Sequence, residues 1–230
     1  MLRFDVMTLF PDMVAAPLSE SIIGRAQKAE KLKVVCHNIR DYSKDRHRRV
    51  DDTPYGGGMG MLMMPDPVFD CHAAIPKSEK CLTVYLSPKG QVLTQKKARS
   101  LAADYDQIIL LCGHYEGIDQ RVLDEIVDEE LSIGDYVLTG GELAAAVVID
   151  CVGRLIEGVL PDPICHEEES LSSGLLEYPQ YTRPAVWHGV SVPEVLQNGD
   201  HKKIREWRHE KAVELTVKNR PDLLSDKGEH

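Results

Sequence analysis

Apolar runs and helix-period segments alternate along the first two thirds of the chain. LRFDVMTL at 2–9 has the short, mostly apolar form of a strand. Asp12 then offers an N-cap to a helical stretch running to about Lys28. LKVVCHNI at 32–39 predicts a second strand, CLTVYL at 81–86 a third and QIILLCG at 107–113 a fourth. Between the last two, the composition from about Thr94 to Ala103 is helical. A polar segment follows Gly113 to about Glu125, then EIVDEELSI, then a helix from Gly141 to about Val152. Strand–helix alternation of this kind predicts an α/β fold on a mainly parallel sheet covered on both faces.

Three stretches break the pattern. Residues 40–60 are polar and then Gly-rich, in TPYGGGMGM (53–61). Residues 160–173, LPDPICHEEESLSS, read as an interdomain linker with little apolar periodicity. Beyond it, 174–230 predicts a small, mostly helical unit. There GDHKKIREWRHEKAVELTVKNR suits one helix capped by Asp200, with Ile204, Trp207, Lys211/Ala212 and Leu215 along one face. The expected organisation is a main domain at 1–159, a linker at 160–173 and a helical domain at 174–230, with a ligand site at the junction.

Composition adds exclusions. Hydrophobic residues at 43% and charged ones at 28% of 230 argue against disorder, collagen-like repeats and coiled coil. Arg3, Asp5 and Asp12 interrupt any signal-peptide core, and the longest apolar stretch, Leu143 to Ile149, is far short of a membrane span. Six cysteines (Cys36, Cys71, Cys81, Cys112, Cys151, Cys165) form no C-x-x-C pair, as expected of free thiols in a cytoplasmic protein. The net charge of -10 discourages a nucleic-acid partner when taken globally. It is unevenly placed, however. Residues 40–49 hold five Lys/Arg against two Asp, and 201–220 hold seven against three Glu, while 116–135 hold eight acids against one Arg. Two basic segments flanking an acidic body could grip a phosphate backbone, or could be ordinary solvated surface.

The search for chemistry begins with absences. There is no G-x-G-x-x-G after the first strand, no P-loop, no G-x-S-x-G elbow and no H-E-x-x-H. What remains are three glycine-bearing loops at strand ends: YLSPKG (85–90), LCGHYEGID (111–119) and SIGDYVLTGGEL (132–143). They could present backbone N–H and C=O groups to a planar heterocycle flanked by Leu86, Ile133 and Leu138. They could equally be plain connections.

Seven motifs in a fixed order go further: GGG-x-GM-L-M at 56–63, YLSPKG, CGHYEGID, IGDYVLTGGEL, YTRP at 181–184, GD-x-x-x-I-x-x-WR at 199–208 and RPDLL at 220–224. Together they closely resemble the bacterial tRNA (guanine-37-N1)-methyltransferases of the SPOUT superfamily, from about Met1 to Leu224. The resemblance implies a deep trefoil knot in the parallel-sheet domain, a flexible linker, a helical C-terminal domain that binds tRNA, and a homodimer sharing its active site between subunits. S-adenosylmethionine would sit in the knot loops, here Tyr85, Leu86, Ser87 and Pro88; Gly113, Tyr115, Glu116 and Gly117; and Ile133, Gly134, Tyr136, Leu138, Gly140 and Gly141. Candidate tRNA contacts are Lys44, Arg46, Arg48, Arg49, Arg183, Lys202, Lys203, Arg205 and Arg208.

The implied reaction moves a methyl group to N1 of guanosine 37, beside the anticodon. N1 of neutral guanine bears a proton, so a base must remove it while something stabilises charge on O6. The resemblance assigns the second task to Arg154, always protonated and a multi-point donor. For the base, the family's Glu-Asp-Ser reads Glu168-Glu169-Ser170 here, placing Glu169 at the aspartate position. Glutamate keeps the chemistry but is one methylene longer, with Glu168 as the alternative base. Met59 and Ala144 stand where the family often has proline. Magnesium is implied as a family requirement, but no residue pattern marks a metal site. Two other readings stay open: an RNA-binding knotted protein that has lost catalysis at Glu169, and a related knotted methyltransferase acting on another RNA. The linker, YTRP and WR elements disfavour the second of these.

Overall fold

The structure, a computed structural model, describes residues 1–160, 170–171 and 174–225. The chain divides into two compact units, Met1–Pro161 and Asp162–His230.

The first unit is built on five strands: β1 (Leu2–Thr8), β2 (Leu32–Asn38), β5 (Cys81–Val92), β6 (Gln107–Cys112) and β7 (Glu129–Ser132), in the order β2-β1-β6-β5-β7. Every pairing in this sheet is parallel, so every connection is a crossover. The central strands read as unbroken apolar runs because both faces are covered. Phe4 and Val6 of β1, with Ile108 and Leu110 of β6, enter one core. Met7, Ile109 and Leu111, at alternate positions on the opposite face, enter the other.

The first core is covered by α1 (Pro11–Leu18), α2 (Ser21–Lys28), α4 (Gln95–Asp104) and α6 (Glu142–Gly153). The second core lies under α3 (Pro65–Ala74) and α5 (Gln120–Ile126). A two-stranded pair, β3 (Asp51–Asp52) and β4 (Leu62–Met63), closes the Gly-rich loop between them.

Four details differ from the sequence reading. Asp12 lies in the first turn of α1 rather than capping it; Phe10 is the N-cap, and its amide is held by the Thr8 hydroxyl at 2.9 Å. The stretch to Lys28 is two helices, separated at Ser19 and Glu20. Proline at its first turn starts α3, a helix the hydrophobic pattern did not announce. YLSPKG is not a loop after a strand, since β5 continues through it to Val92 with a register shift between Leu86 and Gln91.

In the second unit, Asp200 caps the long helix His201–Asn219 by accepting from the amides of Lys202 and Lys203. Its inward face carries buried Ala212 and Thr216, with Ile204, Trp207 and Leu215 half-buried, as the periodicity requires. The Thr216 hydroxyl donates to Ala212 O at 2.7 Å and accepts from the Leu176 amide at 2.9 Å. A short hairpin, β8 (Val186–Trp187) with β9 (Val190–Ser191), makes this unit less purely helical than expected.

Five cysteines, Cys36, Cys71, Cys81, Cys112 and Cys151, are free thiols; Cys165 lies outside the described residues. Among the described residues no helix is long and apolar enough to cross a membrane.

Candidate functional site

The C-terminal ends of β6 and β7 and the irregular middle of β5 surround a cavity of about 380 Å³, within the usual size of small-molecule sites. Three walls come from distant parts of the chain. Tyr85, Leu86, Ser87 and Pro88 sit in β5 at its register shift. Gly113, Tyr115, Glu116 and Gly117 follow β6, and Ile133, Gly134, Tyr136, Leu138, Gly140 and Gly141 lie between β7 and α6. All fourteen residues expected at a cofactor site therefore line one space.

Backbone hydrogen bonds stitch the walls together. The Gly141 amide donates to Gly113 O at 2.9 Å, Glu116 N to Met61 O at 3.0 Å, and Met63 N to Gly117 O at 2.9 Å. The turn after β6 is tight enough to put Tyr115 at φ 57° and Gly117 at φ 124°, and the second of these is reserved for glycine. In the third wall, the Tyr136 hydroxyl donates to Ile133 O at 3.2 Å and the Ser132 hydroxyl to Gly134 O at 3.1 Å.

The lining is chemically mixed. Leu86, Ile133 and Leu138 offer apolar faces, and the glycine segments offer backbone polar groups. Lys89 and Glu116 are its charged side chains. Burial pushes the Tyr85 hydroxyl above its ordinary pKa, and the neighbouring Glu130 carboxylate adds to the effect. Tyr85 is thus held as a neutral phenol at the cavity floor.

Several lining residues escaped the sequence reading: Leu62, Lys89, His114, Ile118, Val137 and Thr139. His114, Val137 and Thr139 lie between residues that were named, and Lys89 and Ile118 fall within the motifs YLSPKG and CGHYEGID, so treating each motif as a continuous wall finds all five. Leu62 arrives from the Gly-rich segment, held there by the backbone bonds that Met61 and Met63 make with Glu116, Gly117 and Asp119.

Arg154 is not brought to this cavity by its own helix. It is the half-buried C-cap of α6, whose N-cap, Gly141, lines the space; thirteen residues of helix separate the two by about 20 Å. Glu169, with its alternative Glu168, lies outside the described residues.

Apart from half-buried Arg208, the basic candidates are exposed, and most are engaged. Lys44 pairs with Asp70 at 2.7 Å, Arg48 with Asp41 at 3.1 Å and Arg49 with Asp45 at 3.0 Å. In the second unit Lys203 pairs with Asp200 at 3.5 Å and Lys202 approaches Glu206 at 3.9 Å. Arg208 lies over the Tyr178 ring at 4.8 Å. Arg46, Arg183 and Arg205 point to solvent. Such surface pairs are weak and exchange readily for phosphate. Among the described residues, no cluster of three or more His, Cys, Asp or Glu is placed to hold a metal ion, so the magnesium implied by the resemblance finds no protein site there.

The sequence profile of the family described as tRNA (Guanine-1)-methyltransferase TrmD matches residues 2–226. A protein of Caldanaerobacter subterraneus subsp. tengcongensis is 58% identical over 221 residues, covering 96% of this chain and 91% of its own. One of Alkaliphilus oremlandii is 56% identical over 228 residues, covering 96% and 91%, and one of Ruminiclostridium cellulolyticum 55% over 226, covering 97% of each. All three are named tRNA (guanine-N(1)-)-methyltransferase.

Proposed function

The chain belongs to the tRNA (guanine-1)-methyltransferase TrmD family, and from that premise we propose how its own residues carry out the family's reaction. The enzyme transfers a methyl group to N1 of a guanine in tRNA, with S-adenosylmethionine as the methyl donor of the family. One observation supports the cavity of the first unit as the donor's site: fourteen residues from three distant segments converge on a single space of suitable size. Leu86, Ile133 and Leu138 would sandwich the adenine, and the backbone of the glycine segments would read its edge. Glu116 would face the methionine end or the guanine. The loops 113–117 and 133–141, tied by the Gly141–Gly113 bond, are where the family's trefoil crossing would fall.

When bound, S-adenosylmethionine supplies an electrophilic methyl group on its sulfonium. The protein must then prepare the acceptor. We assign Glu169 as the general base that takes the N1 proton, a role worth about 10²–10⁴-fold. Loss of that proton leaves negative charge shared with O6, and the Arg154 guanidinium would accept it through charge-assisted hydrogen bonds. The target is guanosine 37, beside the anticodon.

The length of α6 bears on assembly. A cavity at one end of this helix and Arg154 at the other suit a site completed by a second copy of the chain. An apolar surface that could receive that copy supports this reading: α1 packs against α6, and together they leave Phe10, Met13, Leu143 and Val147 38–51% exposed. We therefore infer a homodimer whose two sites are each shared. The second unit would hold tRNA through Arg183, Lys202, Lys203, Arg205 and Arg208, helped by exposed Tyr181 and Trp187, with 160–173 acting as the linker that carries the base. We infer a cytoplasmic location, where a tRNA substrate would be met.

The decisive experiment incubates the purified protein with labelled S-adenosylmethionine and a tRNA transcript bearing guanosine at positions 36 and 37. N1-methylguanosine at position 37 is expected. Binding of the donor without methylation would instead favour an RNA-binding protein that has lost catalysis.

A further inference from the structure

One cavity residue has an unfinished hydrogen bond. The Nδ1 atom of His114 is buried and has no hydrogen-bond partner among the described residues, a condition that folded proteins seldom tolerate. The ring packs against Phe10 at 5.0 Å between centroids and edge-on against Tyr115 at 4.7 Å. It cannot swing out to water without breaking that packing. Nearby lies a second buried group. Glu142, in the first turn of α6, is 2% exposed, and its Oε1 accepts from the Thr8 hydroxyl at 2.8 Å.

Gly140 shows how close the two come. A Cβ at that position would meet Glu142 Oε2 and would stand 2.9 Å from His114 Nδ1. Both atoms therefore crowd one small space that only a glycine leaves open. His114 and Gly140 are also bridged through their backbones, which joins the loop after β6 to the segment leading into α6.

We propose that His114 is a positioning residue for the methyl donor: its Nδ1–H donates to Glu142 Oε2 when the donor fills the cavity. The bond would complete a chain from Thr8 at the end of β1, through Glu142 at the start of α6, to the loop after β6. It would thereby fix the 113–117 and 133–141 walls against each other. This inference rests on the reading of the cavity as the donor site. Thr8, Glu142 and His114 act through the wall and touch no reacting atom.

The test uses the full-length protein and two amide substitutions. Asn presents an amide nitrogen where Nδ1 sits, and Gln presents one where Nε2 sits. Binding of S-adenosylmethionine is measured by calorimetry, and KM for the donor and kcat by tRNA methylation, with thermal melting to confirm folding. His114→Gln and His114→Ala should weaken donor binding about tenfold, the value of one hydrogen bond, with KM for the donor rising and kcat nearly constant. His114→Asn should recover most of the loss. Glu142→Ala, which removes the acceptor altogether, should lose at least as much as His114→Ala. Recovery by Gln but not Asn would overturn the proposal, because Nε2 would then be the working nitrogen. Unchanged binding in all four variants, or equal loss in Asn and Gln, would overturn it too. Failure of the parent protein to bind the donor at all would instead sink the cavity assignment beneath it.

Discussion

At the scale of single residues, Glu169 is the sharpest departure, a carboxylate of unchanged chemistry on a longer arm. Glu169→Ala should cut single-turnover methylation by about 10²–10⁴-fold, and Glu169→Asp should keep most of the rate; equal rates in the alanine variant and the parent would remove Glu169 from its role. Asp5 governs stability rather than chemistry. Burial pushes its carboxyl up, but hydrogen bonds from His37, Arg3 and Gln107, each 2.7 Å long, outweigh burial and hold it down at about 2. A depressed carboxylate stabilises the fold above its unfolded value of about 4 and loses that contribution as the pH falls toward 2. Asp5→Asn should therefore cost roughly 2–3 kcal/mol at pH 7 and flatten the loss between pH 4 and 2 in denaturant titrations. His72 acts over a higher window. Burial, with help from Lys77, pushes it down to about 4, so the neutral ring is the folded form and stability declines as the pH falls below about 6.5.

At the scale of elements, the break between α1 and α2 shows where periodicity stops being informative. An apolar pattern continues across Ser19 and Glu20, yet the chain turns there, and the Ser19 carbonyl comes to lie against Gly24. Gly24→Ala should lower stability by about 1–3 kcal/mol, read from the urea midpoint, because the added carbon meets backbone that cannot swing aside. Local signals fared better where the physics was local. Asp200 and Thr94 were legible as helix starts since a side-chain oxygen accepting the free amides is a two- or three-residue event. The register shift in β5 was not legible, because it answers to β7, over forty residues away in sequence.

At the scale of the whole molecule, the inferred dimer makes a prediction that no single chain could satisfy. Arg154→Ala and a cavity variant such as Gly113→Leu should each be inactive alone. After unfolding and refolding together they should recover activity, since one site of each mixed dimer then holds both intact contributions. No recovery would mean that each site is built within one chain. Charged substitutions at Leu143 and Val147, half-exposed on α6, should shift gel filtration from twice 25.7 kDa toward 25.7 kDa and reduce methylation in parallel. The net charge of -10 also belongs here: as an average it opposed an RNA partner, whereas its distribution leaves basic segments at 40–49 and 201–220.

The sequence by itself determined the alternation of strands and helices, the parallel sheet and, through seven motifs in order, the family and its cavity residues. These are properties of local pattern and of residue spacing within short segments. Tertiary structure alone decided that β6 inserts between β1 and β5, that Leu62 reaches the cavity, and that His114, Gly140 and Glu142 meet around one point. Such contacts join positions whose separation along the chain carries no periodic signal, and the packing of two cores on one sheet is what brings them together.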